Sequence, residues 1–149
     1  MIFEGGCYCG NLRYRSEGEV LGRGQCHCRE CQYSSGGSPN MIMAMPREGF
    51  TYTRGKPTGH TRDDLDVAVT REFCAKCGTH VLIRVPPMPS MVMLRVGTLD
   101  EPDLFGMPDM AIFLCDKRIF HVVPEGVPTF DKEDDVTRGA VERWAGGAN

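Results

Sequence analysis

Three thiols fall within six residues at Cys26-His27-Cys28-Arg29-Glu30-Cys31. In extended backbone the side chains of Cys26 and Cys28 leave on the same side. The two residues before Cys31 then let a turn bring it back to the same point. Three sulfurs converging in this way suit a soft divalent metal, with zinc the default. A structural zinc takes four protein ligands, whereas a site with three leaves a position for water or substrate, which is the catalytic arrangement. His27, between two ligands, should point away from the metal, either to the surface or in support of the ligands from behind. His80 is similarly ambiguous.

Four further cysteines form two pairs. Cys7 and Cys9 sit in Gly5-Gly6-Cys7-Tyr8-Cys9-Gly10, where glycine lets the backbone wrap closely around a metal-bound sulfur. Cys74 and Cys77 sit in Cys74-Ala75-Lys76-Cys77-Gly78, a zinc-knuckle pattern with glycine placed for a left-handed turn. The simplest partition joins Cys7, Cys9, Cys74 and Cys77 in one tetrahedral site and leaves Cys26, Cys28 and Cys31 for a second. The first site would close a long loop, as a disulfide would. Spacing does not decide which clusters meet, so other partitions and disulfides compete with this one. A redox Cys74/Cys77 would need to open a helix in a βαβ unit, and a glycine-led strand follows instead. An iron–sulfur cluster also uses four cysteines, and the triple cluster has no obvious fourth. Cys115, on an apolar stretch, reads as a buried, inert thiol rather than a ligand.

The elements that must carry these residues are short. Leu12 and Tyr14 alternate with Arg13 and Arg15, as in a half-buried strand. Residues 20–26 form a weaker strand leading into the triple cluster, and 34–39 a Ser/Gly/Pro loop after it. Met41-Ile42-Met43-Ala44-Met45 reads as a buried strand, either filling core or forming a soft wall beside the metal. Further strands are expected at 50–54, 66–73, 81–83, 91–96 and 110–115, with a polar turn region over 55–64. Acidic residues at 131–135, followed by Val136, Ala140, Val141 and Trp144 on one face, predict a C-terminal helix over 131–145. The fold class expected is mainly β with that terminal helix, as one domain over 1–149.

Composition supports this. Gly 18 and Pro 10 in 149 residues point to many turns. A net charge of −3 argues against nucleic acid as a main partner. The N-terminus has no basic region followed by an apolar core, and no run approaches a membrane span. Eight cysteines without a secretion signal favour metal over disulfides. The expectation is a soluble cytoplasmic protein.

The three cysteine motifs, in this order, resemble the glutathione-dependent formaldehyde-activating family. The matching residues are Gly5-Gly6-Cys7-Tyr8-Cys9-Gly10 with Arg13-Tyr14, the run from Cys26 to Cys31, and Phe73-Cys74-Ala75-Lys76-Cys77-Gly78-Thr79. Gly97-Thr98-Leu99-Asp100-Glu101-Pro102 also resembles a family stretch, and the likeness covers about 5–128. It implies a zinc-centred β domain similar to the Mss4-like fold, with two zinc ions. Cys7, Cys9, Cys74 and Cys77 would hold a structural zinc; Cys26, Cys28 and Cys31 would hold a catalytic one. It further implies a carbon–sulfur lyase that joins glutathione, or a similar thiol, to formaldehyde or another small aldehyde. The alternative of another class is a non-catalytic zinc module that binds a protein or carries a thiol.

Overall fold

The computed structural model describes residues 1–132. The helix expected over 131–145 lies, from 133 onward, outside the described residues. In chain order the strands are β1 (Ile2–Gly6), β2 (Arg13–Glu17), β3 (Gly22–Cys26), β4 (Asn40–Pro46), β5 (Phe50–Arg54), β6 (Thr58–Thr61), β7 (Thr70–Phe73), β8 (His80–Arg84), β9 (Met91–Arg95), β10 (Met110–Ile112) and β11 (Thr129–Phe130). Among the described residues the α-helix is α1 (Arg29–Ser35). The fold is mainly β. Two compact units divide it: one takes Met1–Val20 with Met43–Leu104, the other Leu21–Ile42 with the chain from Phe105 onward.

In the first unit, β2 pairs antiparallel with β1 and with β5. Its alternation is the one the sequence predicts, with Tyr14 and Ser16 buried and Arg13 and Arg15 facing outward. β6, β7, β8 and β9 run as an antiparallel series. β9 is buried at every position, so it shows no period of two. Met43 and Met45 have no exposed surface, and Ala44 between them has none either. A strand buried on both faces is what core filling requires, and that explains the methionine run. β6 occupies the expected polar turn region. All four of its residues are exposed, so it had no apolar signature; its ladder to β7 and a Thr61–Thr70 hydroxyl contact at 2.7 Å hold it.

In the second unit, β10 lies between β3 and β11, parallel to both. Its Ile112 is in register with Cys26, the last residue of β3. β10 was expected to run on to Cys115 and stops at Ile112. Phe113 takes a left-handed backbone (φ 59°), which turns the chain out of the ladder into a single turn, Leu114–Asp116.

Two of the motif stretches meet within the first unit. The Tyr14 hydroxyl lies 3.0 Å from Thr98 Oγ1, which donates to the Arg95 carbonyl at 2.7 Å, so the tyrosine O–H donates to Thr98. Burial pushes this phenol up to about 12, so it stays a donor. The Arg13 guanidinium forks onto Asp100, with one N–H···O contact at 2.8 Å. Gly5 lies against this junction, and a Cβ there would collide with the Thr98 carbonyl and the Tyr14 hydroxyl. Gly5→Ala should therefore cost about 1–3 kcal/mol, as overpacking does. The measurement is the urea midpoint, and an unchanged midpoint would show that the junction yields freely.

Candidate metal centres

Sulfur atoms of Cys7, Cys9, Cys74 and Cys77 all lie within 4.8 Å of one another, as do those of Cys26, Cys28 and Cys31. This is the partition expected from the sequence, and each group lies wholly inside one unit. All eight cysteines are free thiols, so the competing disulfides are not formed. Cys115 is exposed on its turn rather than buried in a strand. The reason is the left-handed Phe113, which ends β10 before Cys115 can join it.

The four-sulfur centre is built by two tight turns. Gly10 N–H returns to the Cys7 carbonyl at 3.0 Å, and Gly78 N–H to the Cys74 carbonyl at 2.8 Å. Both glycines have positive φ, 73° and 75°, which other residues adopt only with strain. Each turn thus swings its second cysteine back toward the first. Leu12 N–H donates to Cys7 Sγ at 3.1 Å. Thr79 joins the two turns: its hydroxyl accepts from Tyr8 N–H at 3.2 Å and so donates to Cys77 Sγ, 3.1 Å away. That hydroxyl, helped by backbone amides, pulls the Cys77 thiol down to about 5.

These sulfurs fit zinc. Cys7 and Cys9 are 3.6 Å apart, and Cys9 and Cys74 are 3.8 Å apart. A tetrahedron of sulfurs each about 2.3 Å from zinc has edges of about 3.8 Å. Four sulfurs match the number of ligands that a tetrahedral zinc takes.

The three-sulfur centre sits where β3 becomes α1. Cys26 ends the strand, Cys28 is the N-cap of the helix, and Cys31 lies in its first turn, with its N–H donating to Cys28 Sγ at 3.4 Å. Asn40 Nδ2 donates to Cys31 Sγ at 3.7 Å. Hydrogen bonding to the neighbouring Cys28 and Cys31 sulfurs holds the Cys26 thiol well above its ordinary value. Crowded thiols resist losing their protons together until a cation replaces those protons, which is what a metal site asks of them. Among the described residues no other His, Cys, Asp or Glu joins this group.

The residues that hold this corner were only partly foreseen. Residues 29–35, expected as a turn and the start of a loop, form a helix closed by Gly36 in the left-handed conformation (φ 79°). His27 is fully buried, not on the surface. Its N–H donates to the Ile112 carbonyl at 2.9 Å, and its own carbonyl accepts from Gln32 Nε2 at 2.6 Å. Its ring meets His121, Nδ1 to Nδ1, at 3.0 Å. His121 Nε2 lies 2.8 Å from the Gly37 carbonyl and must donate to it, which leaves His121 Nδ1 to accept from His27. Burial first, then His121, lowers His27 to about 4, so it is a neutral brace. Thr79 could have been suspected, two residues from a ligand. Gln32 carried no signal beyond its place after Cys31, and His121, distant in sequence, carried none.

The two centres should respond differently to loss of a ligand. Cys77→Ser removes one of four ligands from a closed site that fastens Cys7 to a turn far along the chain. It should lose that metal and much of the stability, since such sites contribute on the order of 10 kcal/mol in zinc-finger peptides. A variant that melts at the wild-type temperature with full metal content would refute the four-ligand assignment. Cys28→Ser should lower metal content toward one ion per chain with little change in melting temperature. Equal collapse in both variants would mean that both centres are structural.

Comparison with known proteins places this arrangement. The pattern of the family described as "Glutathione-dependent formaldehyde-activating enzyme" matches residues 2–116. A crystal structure of a Rhodobacter sphaeroides protein superposes with a TM-score of 0.53 at 19% identity, covering 65% of this chain and 87% of that one. At that identity the likeness shows the fold alone. No curated protein matches the chain. The family match spans all seven clustered cysteines, and the chain belongs to the glutathione-dependent formaldehyde-activating family.

Proposed function

We propose that this protein is a cytoplasmic, zinc-dependent carbon–sulfur lyase, acting on a thiol such as glutathione and formaldehyde or another small aldehyde. In the direction of addition, a carbon–sulfur bond forms between the thiol sulfur and the carbonyl carbon. The thiol proton ends on what was the carbonyl oxygen, so no oxidant or reductant is needed. The observation that carries this reading is the inequality of the two centres. One has a closed set of four sulfurs; the other, among the described residues, has three.

The chain's own residues have distinct tasks in this scheme. Cys7, Cys9, Cys74 and Cys77 fasten the first unit and take no part in the reaction. Cys26, Cys28 and Cys31 present three sulfurs from a strand end and a helix start. Ile112, Gln32 and His121 fix the backbone and ring of His27 between two of those sulfurs. The N–H groups of Cys31 and Asn40 point at Cys28 and Cys31 sulfurs and steady their negative charge. Zinc held by three thiolates there would carry a net charge of about −1, offering a soft position to an incoming thiol and little activation of water.

The reading is tested by metal content followed by turnover with glutathione and several small aldehydes. With cobalt in place of zinc, a thiolate charge-transfer band should grow as glutathione is added, and hydrolase activity should be absent. No spectral change at millimolar glutathione, with the three-sulfur centre loaded, would end the thiol-binding idea. A zinc module that serves as a binding surface would then be the better account.

A further inference from the structure

Gln32 is almost fully buried, yet its amide oxygen is met by two cations. Arg29 Nη1 donates to Gln32 Oε1 at 2.5 Å, and Arg118 Nε donates to the same atom at 3.3 Å. The amide cannot turn to suit other partners. Its Nε2 donates to the carbonyls of His27 at 2.6 Å and Asp116 at 2.9 Å, so the orientation of the oxygen is dictated by the opposite end. Two guanidiniums are therefore held side by side on one neutral acceptor.

That oxygen satisfies donors and cancels no charge. Among the described residues neither guanidinium pairs with a carboxylate. Asp116 turns its Oδ2 to the backbone N–H of Arg29 at 3.2 Å. Each guanidinium has five N–H donors and gives one to Gln32, and among the described residues no carboxylate takes the others. Both arginines are exposed. Arg29 also lies over the Tyr33 ring, 4.9 Å from its centre, and the backbone N–H of Arg118 donates to His121 Nδ1 at 3.2 Å, which fixes the chain from which the second guanidinium reaches Gln32. The two cations are thus positioned by neighbours rather than waving freely. Like charges brought together without a counter-ion are the usual preparation for an anion.

Their place in the chain ties them to the three-sulfur centre. Arg29 directly follows Cys28, and Gln32 directly follows Cys31, on the adjoining face of α1. We propose that Arg29 and Arg118 form a carboxylate subsite beside that centre, taking a carboxylate of the incoming thiol. In glutathione the glycine carboxylate is one residue from the thiol-bearing cysteine, a reach of roughly 7 Å in extended chain. The identity of the occupant rests on the function proposed above; the subsite itself can be tested apart from it.

Three ligands separate the two ideas on the cobalt-loaded protein. S-Methylglutathione has the carboxylates and no free thiol; 2-mercaptoethanol has the thiol and no carboxylate; glutathione has both. Calorimetry should show wild-type protein binding S-methylglutathione, with Arg29→Gln/Arg118→Gln weakening it about tenfold or more, the loss expected for charge-assisted hydrogen bonds. Glutathione should weaken by a similar factor, while 2-mercaptoethanol produces the same charge-transfer band in both proteins. Arg118→Gln alone, on an exposed side chain, should give part of the loss, and metal content and melting temperature check that both variants are folded. S-Methylglutathione that fails to bind wild type, or binds the double variant equally well, overturns the subsite. A glutathione titration without a charge-transfer band, alongside Arg-dependent binding of S-methylglutathione, sinks the thiol chemistry and leaves the subsite standing.

Discussion

Thiolates held 3.6–3.8 Å apart repel one another, and a protein that gathers them must supply either protons or a cation between them. Much of this chain's architecture follows from that constraint. The turns that bring the sulfurs together are too tight for ordinary residues, so glycine stands at positions 10 and 78. Crowded sulfurs also need hydrogen-bond donors, and backbone or side-chain groups reach them: Leu12 N–H, the Thr79 hydroxyl, Cys31 N–H and Asn40 Nδ2. Such contacts draw charge from sulfur and fix its direction, which is how surrounding groups tune a metal centre.

The two centres spend this arrangement differently. Cys7 and Cys9 precede β2, while Cys74 and Cys77 follow β7, so a metal shared by these four would fasten parts distant in sequence, and its main yield would be stability. The three-sulfur centre is local, with all its cysteines within one strand end and one short helix. A helix of seven residues has little stability of its own. What keeps it in place is a clamp from Ile112, Asp116 and His121, whose groups bond to His27, Arg29 and Gln32. Phe113 is part of this economy. Its left-handed backbone is unfavourable for a bulky residue, and it ends β10 so that Asp116 can reach the start of α1.

How much of this could be read beforehand depended on the range of the interaction. Cysteine spacing showed both centres, because ligands in CxC and CxxC runs are local and metal geometry limits the partners. Alternating burial disclosed β2, and continuous burial disclosed β4 and β9. β6 left no trace, since a strand exposed on every residue has no apolar pattern to detect. The helix 29–35 was hidden because its few residues serve the metal turn and bury only Cys31 and Gln32. Cys115 misled for the opposite reason: it follows an apolar run that looks like more strand, and a single backbone dihedral at Phe113 ends it. For His27 the choice between surface and support stayed open, because its partner, His121, is remote in sequence and nothing local announces the contact.

Electrostatics then bear on which thiol such a centre could accept. Three thiolates outweigh a divalent cation, so the donor set of Cys26, Cys28 and Cys31 is net negative. The chain as a whole has a formal charge of −3. A thiol that also carries carboxylates approaches such a centre against like charge, and the cost is greatest near the sulfurs, where solvent screens least. Positive charge must therefore be placed locally rather than spread over the surface. In the proposed subsite Arg29 and Arg118, gathered on the oxygen of buried Gln32, the residue that follows Cys31, would supply it. The same amide that aims these cations also fastens the His27 carbonyl between Cys26 and Cys28. One buried side chain thus bonds both the backbone between two of the cysteines and the two arginines. A change at Gln32 would disturb the two together, whereas the arginines can be altered while the sulfur geometry stays intact.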